Sequence, residues 1–306
     1  MLTYDIVDVF TDRPFAGNQL AVVHGADDLS TAQCQQIAKE FNFSETTFPS
    51  SRVEDGPDGT TYGTRIFTPS NEIPFAGHPT LGTAWVLRER GLVKGPDLTQ
   101  VCGAGPVGVR FADDDRVELS ATPRDLLGPL DDELVVALLQ DVGLSLTDLA
   151  GPVWVAGCGL TFVHLPVVED AVVRADPSSR PLRSYAADFA GVGEARDPIE
   201  GINLHHVVAD DGAGRLEVHA RVFVPGLSVE EDPVAGSAAV GLGMALVAAG
   251  RLPEGGGYAI TQGVEMGRPS QLLGRVEASD GVATRCHVAG RVQPVARGEI
   301  VVPRPS

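Results

Sequence analysis

Apolar and polar positions alternate in short runs along most of the chain, and only a few segments carry helical spacing. Tyr4 to Phe10 and Leu20 to Val23 alternate as strands, joined by a polar turn around Asp12-Arg13-Pro14. Thr31 to Phe41 has helical spacing, with Ser30 or Thr31 as N-cap. Thr61 to Phe67 is strand-like, and Pro79 to Arg90 predicts a helix that Gly91 stops. Leu81, Ala84 and Trp85 share one face of that helix, and Val86 and Leu87 widen it. A helix apolar over most of its circumference is a buried helix. Val117 to Ser120 reads as a strand. Thr122 to Pro129 reads as a crossover, and Asp131 to Asp141 as a helix whose acidic first turn suits its dipole.

The second half repeats this order. Strands are predicted around Val153 and Phe162, at His205 to Val208 and at Leu216 to Phe223. A short helical stretch is predicted near Arg183 to Phe189, and a helix at Ala238 to Ala249, ended by Gly250. The tail from Val276 to Val302 is strand-like and rich in turns. With 306 residues, the chain suits two domains of ordinary size. The pattern places a first lobe at 1–126, a second at 127–283, and C-terminal strands at 284–306 that return to the first.

Two segments match internally. Arg65-Ile-Phe-Thr-Pro resembles Arg221-Val-Phe-Val-Pro. Each runs through an acidic stretch into a Pro-x-Ala-Gly-polar turn and a helix of small residues. The turns are Pro74-Phe-Ala-Gly77-His78 and Pro233-Val-Ala-Gly236-Ser237, and Leu81-Gly82 matches Val240-Gly241 downstream. Shared ancestry of the halves is the economical reading. Each turn would aim backbone N–H groups at the start of a helix, where unsatisfied donors and partial positive charge bind anions such as carboxylates. Gly77 and Gly236 would let a ligand approach the backbone. The competing reading makes His78 and Ser237 ordinary helix-start residues and the glycines aids to tight packing.

Composition narrows the function classes. Hydrophobic residues make up 43% and charged residues 21%, as in a globular protein. A net charge of -18 argues against a nucleic-acid partner and against an anionic membrane surface. The N-terminus lacks the basic start and apolar run of a signal peptide, and no stretch approaches a membrane span. Cys34, Cys102, Cys158 and Cys286 form no CxxC pair, so free thiols in a reducing cytoplasm are expected. Gly103-Ala-Gly105-Pro-Val-Gly108 fits GxGxxG, but strand-like residues follow where a dinucleotide site needs a helix.

Two further residues could carry chemistry beside the two turn residues. Asp232 stands where the first copy has Ile73, a polar-for-apolar exchange whose plain alternative is a solvated loop acid. Glu45 lies in Phe41-Asn-Phe-Ser-Glu-Thr-Thr-Phe48. A carboxylate among aromatics would be desolvated, raising its pKa toward that of a neutral-pH proton carrier. The alternative is an edge-strand glutamate facing water. Ser237 and His78 occupy equivalent places in the two turns.

In combination and order, the motifs resemble the PhzF-like isomerases of the diaminopimelate-epimerase-like superfamily. They are Asp8-Val-Phe-Thr-Asp-Arg-Pro-Phe-Ala-Gly-Asn18, Ser44-Glu45-Thr46, Glu72 to Thr80, Glu231 to Ser237, Gln262-Gly263 and Gly267 to Ser270. The resemblance implies an α+β protein of two similar lobes, each a barrel-like sheet around a central helix, with the site in the cleft between them. It also implies a homodimer, no metal or other cofactor, and a small carboxylate substrate, such as a dihydro-hydroxyanthranilate or, alternatively, a pyrroline carboxylate of an antibiotic pathway. A non-catalytic acid-binding protein of the same fold is the further alternative. By motif, Glu45 is the acid/base, with His78, Asp232 and Ser237 as its polar support. The Gly77 and Gly236 turns hold the carboxylate, and Asn18 and Ser44 line the cleft. Cysteine-dependent epimerases of the superfamily carry a thiol before each turn glycine. Here those positions are Ala76 and Ala235, which speaks against two-thiol racemisation.

Overall fold

A computed structural model describes residues 1–57, 59–176, 199–224 and 230–304. The helical stretch expected near Arg183 to Phe189 lies outside them. The chain forms two compact units, residues 1–119 with 289–306 and residues 120–288. The division therefore falls at 119/120 and 288/289, whereas the sequence pattern places it at 126/127 and 283/284. The reason is that the expected crossover holds a short strand, Asp125–Leu127, that pairs within the second unit.

The first unit contains β1 (Leu2–Val9), β2 (Asn18–His24), α1 (Thr31–Phe41), β3 (Glu45–Gly56), β4 (Gly59–Phe67) and β5 (Glu72–Ile73). It continues with α2 (Gly77–Glu89), β6 (Asp97–Cys102), β7 (Gly105–Phe111) and β8 (Val117–Ala121), and the tail adds β18 (Val292–Ile300). β18, β1 and β2 are successively antiparallel, β2–β3 is parallel, β3–β4 antiparallel, β4–β6 parallel and β6–β7 antiparallel.

The second unit contains β9 (Asp125–Leu127), α3 (Asp132–Asp141), β10 (Trp154–Gly157), β11 (Thr161–Pro166), α4 (Glu169–Arg174) and β12 (Ile199–Asp210). After these come β13 (Arg215–Phe223), β14 (Glu231–Asp232), α5 (Gly236–Ala248), β15 (Gly255–Gln262), β16 (Ser270–Ser279) and β17 (Val282–Gly290). Its strands repeat the same senses. β9, β10 and β11 are antiparallel, β11–β12 is parallel, β12–β13 antiparallel, β13–β15 parallel and β15–β16 antiparallel. The weak internal match in sequence is thus a repeat of strand order.

Strand alternation sorts side chains to two faces. In the first unit, Val7 and Val9 of β1 and Leu20 of β2 approach α2, and Thr47 of β3 shares a hydrogen bond with Thr83 of α2 at 2.8 Å. Leu2, Val23, Phe48 and Phe67 belong to the other face, where they pack with Cys34, Ile37 and Ala38 of α1. In the second unit, α3 and α4 cover a cluster that includes Leu138, Val155, Val163 and Phe223. Each unit thus has one helix enclosed by strands. α2 contacts β1, β2, β3, β6, β7 and β18, and α5 contacts β10, β11, β15 and β16. Nine of 13 residues are buried in α2 and eleven of 13 in α5, so neither helix keeps a solvated face.

This enclosure needs small residues. A Cβ at Gly82 would stand 2.5 Å from Leu20 Cδ2 and 2.8 Å from Val9 Cγ2. At the matched Gly241 it would stand 2.7 Å from both the Ala156 carbonyl oxygen and His164 Nε2. Both helices also begin earlier than their apolar spacing predicts, at Gly77 and Gly236 rather than Pro79 and Ala238. The turn glycines are therefore the first helical residues. Ser30 caps α1 through a capping box with Gln33, and Asp131 caps α3 through the Leu134 N–H.

An arginine ties down the strand that enters each turn. Arg65 of β4 makes a bidentate pair with Glu72 of β5, with donor–acceptor distances of 2.8 and 2.7 Å, and lies over the Phe67 ring. Arg221 of β13 does the same with Glu231 of β14, at 2.9 and 2.8 Å, over Phe223. The first pair is more than a third exposed and contributes little, about 0–1 kcal/mol. The second is nearly buried, and removing one partner would cost about 3–5 kcal/mol.

Alanine at Gly241 sets two effects against each other. Helix propensity favours alanine by about 1 kcal/mol, and overpacking costs about 1–3 kcal/mol. Because the Cβ would meet a backbone carbonyl and a buried ring, the overpacking is expected to win. Gly241→Ala should lose up to about 2 kcal/mol in a urea titration; a midpoint above the parent's would show that the close approach does not matter.

Candidate active site

The first unit gathers five of the expected residues. Glu45 is the first residue of β3 and shares the parity of Thr47, so it lies on the α2 side of the sheet. His78 is the second residue of α2, and its Nε2 lies 3.4 Å from Glu45 Oε2. Its Nδ1 lies 3.5 Å from Asn18 Nδ2, and Ser44 Oγ donates to Asn18 Oδ1 at 3.2 Å. Gly77 immediately precedes the ring. An amide NH₂ can only donate. Asn18 therefore presents a donor to Nδ1 at the limit of hydrogen-bond distance, and Nε2 faces the Glu45 carboxyl.

The surroundings of Glu45 differ from the sequence expectation. Phe48 packs on the α1 side, and Phe41 stacks on Phe43 and joins the same α1 cluster. The neighbour that meets the carboxyl is polar, the His78 ring. The Glu45 side chain is 15% exposed, so it is not a water-facing edge residue either.

His78 is buried. Burial pushes its pKa down to about 3, opposed by a backbone hydrogen bond with Gln19. The ring is therefore neutral at neutral pH and can offer a hydrogen bond without taking the proton. Asn18 reaches it through a shaped turn. The Phe15 N–H donates to Asp8 Oδ2 at 2.6 Å, and Gly17, at φ +67, passes so close to Val9 that a Cβ would lie 2.3 Å from its carbonyl oxygen.

The second unit places Asp232, Gly236 and Ser237 within one short segment. Asp232 ends β14, Gly236 opens α5, and Ser237 follows it. Asp232 Oδ1 accepts from the Val234 N–H at 3.0 Å. Burial nevertheless pushes its pKa up to about 7, with Glu231 adding a smaller repulsion. Ser237 is half-buried.

Both helix starts lack a side-chain cap. Ala76 and Ala235 are the N-cap residues and neither makes a side-chain cap hydrogen bond. The first-turn N–H groups thus remain available to an acceptor. In α2, Pro79 removes one of those donors.

Register fixes which residues correspond. Phe48 pairs with Arg65, and Leu204 pairs with Arg221, so Glu45 corresponds to Gly201. A Cβ at Gly201 would fall 2.2 Å from the Phe223 carbonyl oxygen, so no side chain fits there. Asp232 pairs with Val222 as Ile73 does with Ile66, which confirms that these two positions correspond. Sequence reasoning gave Gln262 no role. Its Nε2 donates to the Asp232 carbonyl oxygen at 2.8 Å, and the only signal was its place beside Gly263 in a quoted motif. The arginine–glutamate ties also went unread, although Glu72 and Glu231 recur at matched places. Among the described residues, no group of three His, Cys, Asp or Glu side chains could hold a metal ion.

Comparison with known proteins agrees with this architecture. Residues 7–298 match the family described as phenazine biosynthesis-like protein. A trans-2,3-dihydro-3-hydroxyanthranilate isomerase of Pseudomonas fluorescens is 34% identical over 99% of this chain and 100% of its own length. A solved Bacillus anthracis phenazine biosynthesis protein of the PhzF family superposes with a TM-score of 0.81 at 23% identity, over 98% of this chain and 99% of its own. A structure from Pseudomonas aeruginosa described as a predicted epimerase is 30% identical with a TM-score of 0.76, over 99% of this chain and 100% of its own.

The raised pKa of Asp232 has a measurable sign. Between its usual 3.8 and about 7 the folded chain holds a proton that the unfolded chain releases. This group's contribution to stability is therefore full below pH 3.8 and is lost as pH rises through 7. Asp232→Asn should gain stability relative to the parent as pH rises from 4 to 8 and level off above that. A difference in unfolding free energy that stays flat over this range would refute the shift.

Proposed function

The chain belongs to the PhzC-PhzF family of phenazine biosynthesis-like proteins, and on that premise we propose that it is an isomerase of a small unsaturated cyclic carboxylic acid, with Glu45 as acid and base. The substrate class proposed is a dihydro-hydroxyanthranilate, the compound named for the 34%-identical relative. The observation that carries the mechanism is the Glu45 carboxyl set 3.4 Å from the ring of a histidine held neutral.

Glu45 takes a proton from an sp³ ring carbon, and the electron pair left behind spreads into the neighbouring double bond. Glu45 then returns the same proton to a different carbon. One C–H bond breaks, another forms, the double bond moves, and the enzyme ends as it began. No oxidant, reductant or cofactor is needed for that balance. His78, neutral and with a hydrogen to offer, stabilises charge as it develops, without itself taking the proton. Asp232, near half-protonated at neutral pH, can donate to an anionic oxygen of the substrate. In the first unit the uncapped turn beginning at Gly77 supplies donors for a carboxylate, with Asn18 and Ser44 as polar lining, and in the second unit the turn at Gly236 with Ser237 offers donors of the same kind. The proposed working form is a cytoplasmic homodimer.

Epimerisation at one carbon is the second reading, favoured by the relative described as a predicted epimerase. It would need a second proton carrier. His78 is the neighbour of Glu45, and a ring whose pKa is pushed down to about 3 is a weak base at neutral pH.

The test uses trans-2,3-dihydro-3-hydroxyanthranilate in D₂O, with carbon-bound deuterium followed by NMR. The parent should isomerise the acid, with deuterium entering to the extent that Glu45 exchanges its proton with solvent, and Glu45→Gln should lower turnover by about 10³-fold or more while still binding the acid. Turnover retained in Glu45→Gln would remove Glu45 from the mechanism. Neither isomerisation nor exchange by the parent over a panel of cyclic acids would favour a binding protein, and inversion without double-bond movement would favour the epimerase.

A further inference from the structure

The glycine-rich segment rejected as a nucleotide loop forms the tip of the β6–β7 hairpin, and that tip presses on the turn that carries His78. The Ala104 N–H donates to the Pro74 carbonyl at 3.0 Å. A Cβ on Gly103 would fall 2.8 Å from Pro74 Cα and 3.3 Å from its carbonyl oxygen, although Gly103 is exposed and its φ lies outside the left-handed region. The same hairpin reaches the turn again from inside the fold. Gln100 Nε2 donates to Thr80 Oγ1 at 2.8 Å, and Thr80 Oγ1 donates to the Ala76 carbonyl at 2.8 Å. Tyr62 Oη donates to Gln100 Oε1 at 3.2 Å, which fixes the amide orientation. Tyr62, Gln100 and Thr80 are all buried. Pro74 and Ala76 thus have separate anchors on one hairpin, and His78 lies two residues beyond the second.

The second unit repeats the contact. Val101, two residues before Gly103, pairs with Gly63, two before Arg65. Thr261, two residues before Gly263, pairs with His219, two before Arg221. Gly103 and Gly263 therefore correspond, as Pro74 and Pro233 do. A Cβ on Gly263 would fall 2.6 Å from the Pro233 carbonyl oxygen. A glycine pressed on the turn proline is thus present in both copies although the residues around it differ.

We propose that Gly103 and Gln100 are positioning residues for the reaction, holding His78 against Glu45 through Pro74 and Thr80. This rests on the isomerase reading. Neither residue needs to touch substrate. Displacing a support by a few tenths of an ångström costs about tenfold in rate when geometry is limiting.

The test compares Gly103→Ala with Gly108→Ala in the full-length chain, since a Cβ on Gly108 meets nothing within 4 Å. Gly103→Ala should lower kcat per folded molecule about tenfold, with KM changed less, and should move the ¹⁵N resonances of the His78 ring. Gly108→Ala should do neither. Thr80→Val, which deletes both hydrogen bonds, should lower kcat likewise, and Thr80→Ser should restore it. A purely structural role would lower Tm and the folded fraction while leaving kcat per folded molecule and the ring resonances at parental values, and that result would overturn the proposal. If the parent proved inactive, the isomerase reading would fail, and the ring resonances would still decide whether the hairpin sets the position of His78.

Discussion

A helix enclosed by strands must be narrow where it meets them and must find partners for the donors of its first turn. Gly82 and Gly241 meet the first demand, each standing where a methyl group would collide with a strand. The second demand is left open at both helix starts. α1 and α3 close their own first turns with Ser30 and Asp131, whereas α2 and α5 begin after alanines. A ligand acceptor can take the place that a capping side chain takes elsewhere. The architecture that encloses the helix therefore also leaves uncapped donors at its end.

The polar groups at these helix starts are stored in their less charged forms. Burial favours neutral His78, and burial also favours protonated Asp232. The same physical cause acts in opposite directions on a base and an acid, and in both cases leaves a hydrogen to donate. The arginine ties fit this arrangement. Arg221 and Glu231 neutralise one another beside Asp232, and the nearby charge of Glu231 adds to the rise in the Asp232 pKa. The brace that holds β14 in place is thus also part of the electrostatics of the next residue.

Much of the fold could be read from the sequence where hydrophobic period and caps agree. The α1 helix runs over the expected residues, Thr31–Phe41, because Ser30 and Gln33 form a capping box ahead of an apolar stripe. The starts of α2 and α5 were misplaced by two residues because apolar spacing gives no weight to Gly77 and Gly236. β9 went unread because three residues give too short a pattern to show a period. At the site, local order made Glu45 a candidate with two open readings, the family resemblance gave it the acid/base role, and its environment could not be read. Neighbouring phenylalanines in sequence alternate away in a strand, and the group that meets the carboxyl comes from a helix 33 positions later, at His78. Contacts such as Gln262 to Asp232 join residues far apart in the chain and leave no trace in spacing.

Gly201 adds a historical constraint. In a duplicated unit, the simplest route to a second proton carrier is to place a carboxylate at the position matching the first. Here that position has been closed by the backbone itself, because β13 passes through the volume a side chain would need. A single codon change could supply the acid but not the room for it. The asymmetry between the copies is therefore fixed in the path of the main chain, and any descendant with two matched carboxylates would first have to move a strand.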